Sequence, residues 1–331
     1  MLEVTVEDEI QRVSMLKRHV VILGAGASRA AFPQGDASGK RLPVMADFSE
    51  IVPVKDVIPT LSAGDFEAEY SRLARDPTSG EKCDRLEQVV YKYFSQLALP
   101  PEPTLYDHLV LSLREKDVIA TFNWDPFLIQ AVRRNHLLEN RAPRLLFLHG
   151  NVLAGYCAED QVLGVKGGQC STCGRPFAPS KLLYPVADKD YRNAPLIAEA
   201  WTILETALAE AFMVTIFGYG APASDVSAMA LLRKAWGPVN GRRFEQFEII
   251  DIRHENALRQ SWQDFIHTHH YEVCDDYYKS WLANHPRRTG EAYVHQFIEA
   301  KLISDNPIPR KFAFEELWNW FRPLLEVEEA R

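Results

Sequence analysis

Six short runs of apolar, often β-branched residues punctuate the chain: His19–Leu23, Val118–Thr121, Leu145–Leu148, Met213–Phe217, Phe247–Asp251 and Tyr271–Cys274. Each is apolar on both faces, and most run into Gly, Asn, Asp or His, as strands of a parallel sheet covered on both sides do. Helical patterns lie between them, at Asp125–Arg134, Ala198–Ala211 and Asp225–Trp236. The alternation predicts βαβ units and an α/β fold, a Rossmann-like doubly wound parallel sheet of about six strands. Ligands of such sheets bind at the carboxyl ends of the strands, so the polar residues found there become candidates for chemistry.

Two insertions break the alternation. Residues 48–115 carry Pro53, Pro59, Pro77, Pro100, Pro101 and Pro103 around a helix expected from Glu81 to Leu97, which reads as a helical insertion. Residues 151–185 are Gly-rich and hold Cys157, Cys170 and Cys173, which reads as a small Cys-bearing module on the rim of the sheet. Residues 261–331 supply the last strand and then helices. In the final helix, Phe314, Leu317, Trp318, Phe321, Leu324 and Leu325 recur at helical spacing. That stripe is expected to be an assembly surface, with packing on the chain's own domain as the alternative.

Composition narrows the function classes. With 331 residues and 47% hydrophobic positions, the chain is long enough for a sizeable core. Lys and Arg total 37 against 45 Asp and Glu, a net charge of −8 that removes the long-range attraction a nucleic-acid binder needs. No direct nucleic-acid binding is expected. No run approaches the length of a membrane span, and Met1–Arg18 lacks a signal-type apolar core, so the expected location is cytoplasmic. Five cysteines, an odd number, do not make a disulfide framework, and Cys170-x-x-Cys173 points to metal or structure in a reducing compartment.

The strand ends carry the candidate chemistry. The first strand runs into Gly24-Ala25-Gly26-Ala27-Ser28, where glycines let backbone N–H groups approach a pyrophosphate at a helix start. Arg29 occupies the place of a third glycine, and a tight strand-to-helix turn is the plain alternative. The second strand runs into Phe122-Asn123-Trp124-Asp125-Pro126, in which Asp125 with Pro126 reads as a helix start and Asn123 stands before it. The third ends at His149-Gly150, the fourth at Gly218-Tyr219-Gly220-Ala221-Pro222-Ala223-Ser224-Asp225, and the fifth at Asp251. Ser224 or Asp225 suits a helix cap, and Asp251 puts a carboxylate where a ribose hydroxyl could be bound. In a doubly wound sheet these ends converge on one crevice.

Taken in order, Gly-Ala-Gly-Ala-Ser, Thr-x-Asn-Trp-Asp, Leu-His-Gly and Gly-Tyr-Gly-Ala-Pro-x-Ser-Asp resemble the sirtuin-like family from about Val20 to Asp251. More narrowly, Asn-aromatic-Asp with Gly-Tyr-x-Ala-Pro-x-Ser-Asp is similar to bacterial sirtuin-like NAD+ hydrolases, many of which are effectors of anti-phage defence. The resemblance implies an NAD-binding domain over residues 1–260 and NAD+ as substrate. It implies that Gly24, Ala25, Gly26 and Ser28 hold the phosphates and adjoining ribose, and that Gly218, Tyr219 and Asp251 line the adenosine end. Asn123 would order the nicotinamide ribose and the attacking water, Asp125 the nicotinamide carboxamide, and His149 would be the general base on the ribose hydroxyls. Trp124 departs from the more usual Tyr or Ile, and the polar loop Gln34–Arg41 is long. Family analogy further implies a homo-oligomer and a separately encoded ATPase or other activating partner.

The chemistry agrees with this equipment. Nicotinamide leaves NAD+ as a neutral base, so the work is to stabilise an oxocarbenium-like ribose and place water, which an Asn and a His can do without a glycosidase's carboxylate pair. The expected activity is therefore NAD+ glycohydrolysis to nicotinamide and ADP-ribose. The rivals are an NAD-dependent protein deacylase, which requires an extended peptide groove and a complete zinc module, and a non-catalytic NAD or ADP-ribose sensor. Zinc on Cys157, Cys170 and Cys173 needs a fourth donor, a carboxylate or a distant His, and a vestigial loop is the alternative.

Overall fold

In the computed structural model, which describes residues 3–14, 16–186, 191, 194–221 and 225–330, the six apolar runs form one sheet. In chain order the strands are β1 (Arg18–Leu23), β2 (Val118–Thr121), β3 (Arg144–Phe147), β4 (Ala211–Phe217), β5 (Gln246–Ile250) and β6 (Tyr271–Cys274). β4 begins two residues earlier than its pattern implied, and β3 and β5 each lie one residue earlier. All neighbours are parallel, in the order β3-β2-β1-β4-β5-β6. This is the strand order of dinucleotide-binding sheets, and it reverses direction between β1 and β4.

Register sets the strand ends flush. Phe147, Thr121, Leu23, Phe217, Ile250 and Cys274 lie side by side across the sheet. The residues that follow them therefore leave the sheet from one line. Alternation along the strands divides their side chains between two cores. Val21, Leu23, Ile119, Phe217 and Ile250 enter one, while Val20, Ile22, Val118, Ala120, Val214, Ile216, Phe247 and Ile249 enter the other.

Helices α6 (Pro195–Ala209), α7 (Val226–Trp236) and α8 (Glu255–Trp262) cover the second core through Ile197, Trp201, Leu204, Leu232, Leu258 and Trp262. The first core is covered by the helical insertion, with α2 (Phe66–Arg75) and α3 (Gly80–Ser95), by α4 (Leu105–Leu111), which feeds β2, and by α5 (Phe127–Arg134), which follows β2. Phe48, Phe66, Phe94 and Trp124 pack there as an aromatic group, with Phe48 and Phe66 stacked at 4.4 Å. Thr104 and Asp107 form a capping box that starts α4. Residues 154–179 fold as a three-stranded antiparallel sheet, Ala154–Cys157 pairing with Val162–Val165 and with Ala178–Pro179.

The expectation of an assembly surface on the last helix, α9 (Phe314–Glu329), is overturned. Leu317, Phe321, Leu324 and Leu325 are buried in the chain's own first core. Beneath α9 lies a buried ionic cluster in which Arg287 and Arg288 each meet Glu328 at 2.5 Å, and Arg114 meets Glu291 at 3.0 Å. No described helix is long and apolar enough to cross a membrane.

Candidate active site

A cleft of about 960 Å³ opens along the row of strand ends. It is lined by Gly24, Ala25, Gly26, Ser28, Asn123, Asp125, His149, Gly218, Tyr219 and Asp251, together with Met45 and, from the helical insertion, Phe48 and Phe94. Strand ends distant in sequence thus share one crevice at the switch point between β1 and β4.

The glycines are required by the protein's own packing. A Cβ on Gly24 would lie 2.5 Å from Gly218 O, and one on Gly26 would lie 2.8 Å from Gly218 Cα. Gly218, at φ +62, would carry its Cβ 2.2 Å from Ala27 N. The loop after β1 and the loop after β4 interlock, and Gly26 N–H donates to Gly218 O at 3.0 Å. Helix α1 (Ala25–Ala31) begins at this junction, with Ala25, Gly26 and Ser28 at the cleft wall. Gly150 is a comparable case, at φ +78 with Lys181 O 2.0 Å from where its Cβ would stand.

Asn123 is held from both sides. Its Nδ2 donates to Gly24 O at 2.9 Å and to Ser28 Oγ at 3.0 Å, and its backbone N–H donates to Thr121 Oγ1 at 3.0 Å. Both amide hydrogens are engaged, so Asn123 presents Oδ1, an acceptor, to the cleft. Ser28 Oγ in turn donates to Asp125 Oδ2 at 2.6 Å and lies 2.7 Å from Tyr106 OH. The Ser28 hydroxyl therefore links three site residues rather than standing free for a phosphate. No sequence signal singles out Tyr106, on α4, because every residue of that helix is buried, Asp107 and His108 included.

Asp125 is 4% exposed, and its other oxygen accepts only a 3.4 Å bond from Phe127 N–H. Burial pushes its carboxyl up to about 6, with the Ser28 and Phe127 hydrogen bonds opposing the rise. A carboxyl raised in the folded state favours folding below its unfolded value and loses that contribution as pH rises through the folded value. From 3.8 to about 6 the difference corresponds to about 3 kcal/mol against the ionised form. Asp125→Asn is therefore expected to raise stability at pH 7–8, by up to about 3 kcal/mol, and the gain is expected to vanish towards pH 4. Urea titrations of both proteins across that range check the sign.

His149 packs its ring edge-on to Phe122, with centroids 4.8 Å apart, and its Nε2 lies 3.4 Å from Tyr191 OH. Phe122 stacks on Tyr219 at 4.1 Å, and Tyr219 OH donates to Asp225 Oδ2 at 2.8 Å. Tyr191 was not foreseen, since nothing in its sequence neighbourhood marks it. At the far end, Asp251 accepts from Arg253 backbone N–H at 2.9 Å, and from its Nε at 3.1 Å and Nη2 at 2.9 Å. The carboxylate is thereby fixed at the cleft edge beside β5. Pro222 and Ser224 lie outside the described residues.

The cysteine module gathers four donors. Sγ of Cys157, Cys170 and Cys173 and a carboxylate oxygen of Asp160 all lie within 4.8 Å of one another. Cys157 Sγ stands 3.5 Å from Cys173 Sγ, and Asp160 Oδ2 stands 3.3 Å from Cys157 Sγ and 3.1 Å from Cys170 Sγ. Tetrahedral zinc at Zn–S of about 2.3 Å sets sulfur atoms about 3.8 Å apart, and the Cys157–Cys173 pair at 3.5 Å is close to that while the Asp160 contacts are shorter, so the three thiols and one carboxylate would suit a closed structural site after a small outward shift of Asp160. Cys157-Ala-Glu-Asp160 has the Cys-x-x-Cys spacing with a carboxylate in the last place, and that spacing was the available signal for the fourth donor. The chain returns from this module to the site, where Leu183 N–H donates to His149 O at 2.9 Å. Cys170→Ser is expected to abolish bound zinc and lower the melting temperature by several degrees, checked by metal analysis and thermal melts under reducing conditions.

The sequence matches no family model and no curated protein. Among solved structures, the chain is similar to a Sir2 homolog in complex with NAD, at 13% identity and TM-score 0.41, covering 97% of this chain and 92% of that one. It is also similar to Sir2 bound to the inhibitor EX-527, 2'-O-acetyl-ADP-ribose and a deacetylated p53 peptide, at 15% identity and TM-score 0.39, covering 85% and 93%. A third is a Sir2–p53 peptide–NAD+ complex, at 15% identity and TM-score 0.40, covering 89% and 96%.

Proposed function

We propose that this protein is an NAD+ glycohydrolase that cleaves NAD+ to nicotinamide and ADP-ribose. The observation that carries the reading is the meeting of Asn123 Oδ1 and His149 in one cleft at the switch point of a β3-β2-β1-β4-β5-β6 sheet. The first turn of α1 faces the pyrophosphate. Asp251, fixed by Arg253, takes the adenosine ribose, and Gly218 and Tyr219 close that end. Asn123 Oδ1 accepts a hydrogen from the attacking water or the nicotinamide ribose, and Asp125 faces the carboxamide. The glycosidic C–N bond breaks with its electron pair on nicotinamide, the water oxygen bonds to the anomeric carbon, and His149 takes the released proton through the ribose hydroxyls. Zinc on Cys157, Asp160, Cys170 and Cys173 would supply folding free energy to the module that supports His149.

A protein deacylase is the second reading, favoured by one observation: Asp160 gives the module its fourth donor, so an incomplete cysteine count no longer stands against it. Addition of an acetyl-lysine peptide separates the two. An unchanged rate of nicotinamide release is expected for the glycohydrolase, and release dependent on the peptide belongs to the deacylase. The family resemblance adds a role as a defence effector that depletes NAD+, working as a homo-oligomer with a separately encoded ATPase or other activator. The buried stripe of α9 leaves that assembly to another surface.

A further inference from the structure

We propose that Tyr106 is a positioning residue of the cleavage site: its hydroxyl donates to Ser28 Oγ, directing the Ser28 proton to Asp125 and fixing Asn123 with only Oδ1 towards the cleft. The inference rests on the proposed NAD+ cleavage for its catalytic meaning and on hydrogen-bond valence for its structural content.

Ser28 Oγ has one hydrogen to give and two lone pairs to receive with. Three partners surround it: Asn123 Nδ2 at 3.0 Å, Asp125 Oδ2 at 2.6 Å and Tyr106 OH at 2.7 Å. Asn123 Nδ2 only donates, and an ionised Asp125 only accepts. The Ser28 hydrogen therefore goes to Asp125, and the remaining lone pair is filled by Tyr106 O–H. Ser28 Oγ is then fully satisfied in one arrangement. Gly24 O takes the second Asn123 hydrogen at 2.9 Å, which closes off rotation of the amide.

The cluster is dry, with Ser28 at 3% exposure, Tyr106 at 1% and Asp125 at 4%. Hydrogen bonds in such surroundings polarise one another, so a donor into Ser28 makes Ser28 a better donor to the Asp125 carboxylate. Among the described residues, the groups acting on that carboxylate are the Ser28 hydroxyl and the Phe127 N–H, against the cost of burial. Tyr106 is the titratable group that reaches it through Ser28, and burial together with the Asp125 charge keeps the phenol protonated. Loss of the Tyr106 hydroxyl thus weakens support for ionised Asp125 and loosens Asn123 together.

The test is Tyr106→Phe, which keeps the ring in its packing against Phe32 and Phe127. Two readouts are taken: the titration midpoint of the Asp125 carboxyl by carbon-13 NMR without substrate, and the pH profile of kcat for NAD+ cleavage. The expected result is a midpoint raised by about half a unit or more, with kcat at pH 7 reduced about tenfold, KM little changed, and the acid limb moved to higher pH alongside the midpoint. Ser28→Ala, which removes the link itself, is expected to move the midpoint the same way and further. An unmoved midpoint in Tyr106→Phe overturns the inference, whether or not activity falls, because a residue that merely packs loses rate without changing the Asp125 titration. The titration needs no substrate, so a wild type that fails to cleave NAD+ defeats the functional reading while this readout still decides the hydrogen-bond direction.

Discussion

Asn123→Ala and His149→Ala are each expected to lower NAD+ cleavage by about two orders of magnitude or more, the range for losing a positioned acid–base or water-ordering group. The two effects arise differently. Asn123→Ala removes the Oδ1 acceptor and also releases Gly24 O and Ser28 Oγ, so its loss includes some reordering of the loop after β1. His149→Ala removes the imidazole while leaving its backbone carbonyl bonded to Leu183 N–H. Both residues follow strand ends rather than filling the sheet, so folding is expected to survive each change. Steady-state kinetics with circular dichroism of each variant checks both halves of the statement. Wild-type rates in both variants would place the chemistry elsewhere.

Glu328→Ala is expected to destabilise the fold by about 3–5 kcal/mol, because it removes the carboxylate that directly pairs two buried arginines and leaves only the neighbouring Glu291 to offset them. Arg287 and Arg288 have fully buried side chains, and Glu328 bonds Arg287 through Nε at 3.0 and 3.1 Å and Nη2 at 2.5 Å, and Arg288 through Nη1 at 2.5 Å. Burial by itself pushes the Glu328 carboxyl up, but the hydrogen bond and charge of Arg287 and the charge of Arg288 outweigh it and hold the carboxyl below its usual range. A carboxyl held down in the folded state contributes stability above its unfolded value and loses it as pH falls through the folded one. The difference between wild type and Glu328→Ala in urea unfolding is therefore expected to be full at pH 7 and to shrink on acidification. A difference under about 1 kcal/mol at pH 7 would mean the arginines find other partners, such as the main-chain oxygens of Leu111, Leu113 and Leu324 that they already bond.

The sheet was legible because buried parallel strands carry a strong signal: short apolar runs ending in Gly, Asn or His. Their flush ends then followed from the fold, which is why residues as far apart as Gly24 and Asp251 meet in one cleft. Other features were opaque for physical reasons. Gly24, Gly26 and Gly218 read as room for a ligand, yet the space their side chains would fill is taken by the backbone of the facing loop. Tyr106 lies in a helix buried on every side, where no polar face singles out one hydroxyl. Arg287 and Arg288 sit in His-Pro-Arg-Arg-Thr-Gly, which reads as surface charge, and only the tertiary structure sets Glu328 against them. The apolar stripe of α9 shows one face to be covered without showing by what, and the covering turned out to be this chain's own core.

The claim that the protein hydrolyses NAD+ is tested most directly by a time course of NAD+ with the purified protein and no acylated peptide, products separated by chromatography. The expected result is loss of NAD+ with nicotinamide and ADP-ribose rising together in equal amounts, abolished in Asn123→Ala and His149→Ala. NAD+ that binds in the cleft but is recovered intact, or is consumed only when an acyl-lysine peptide is supplied, would contradict it.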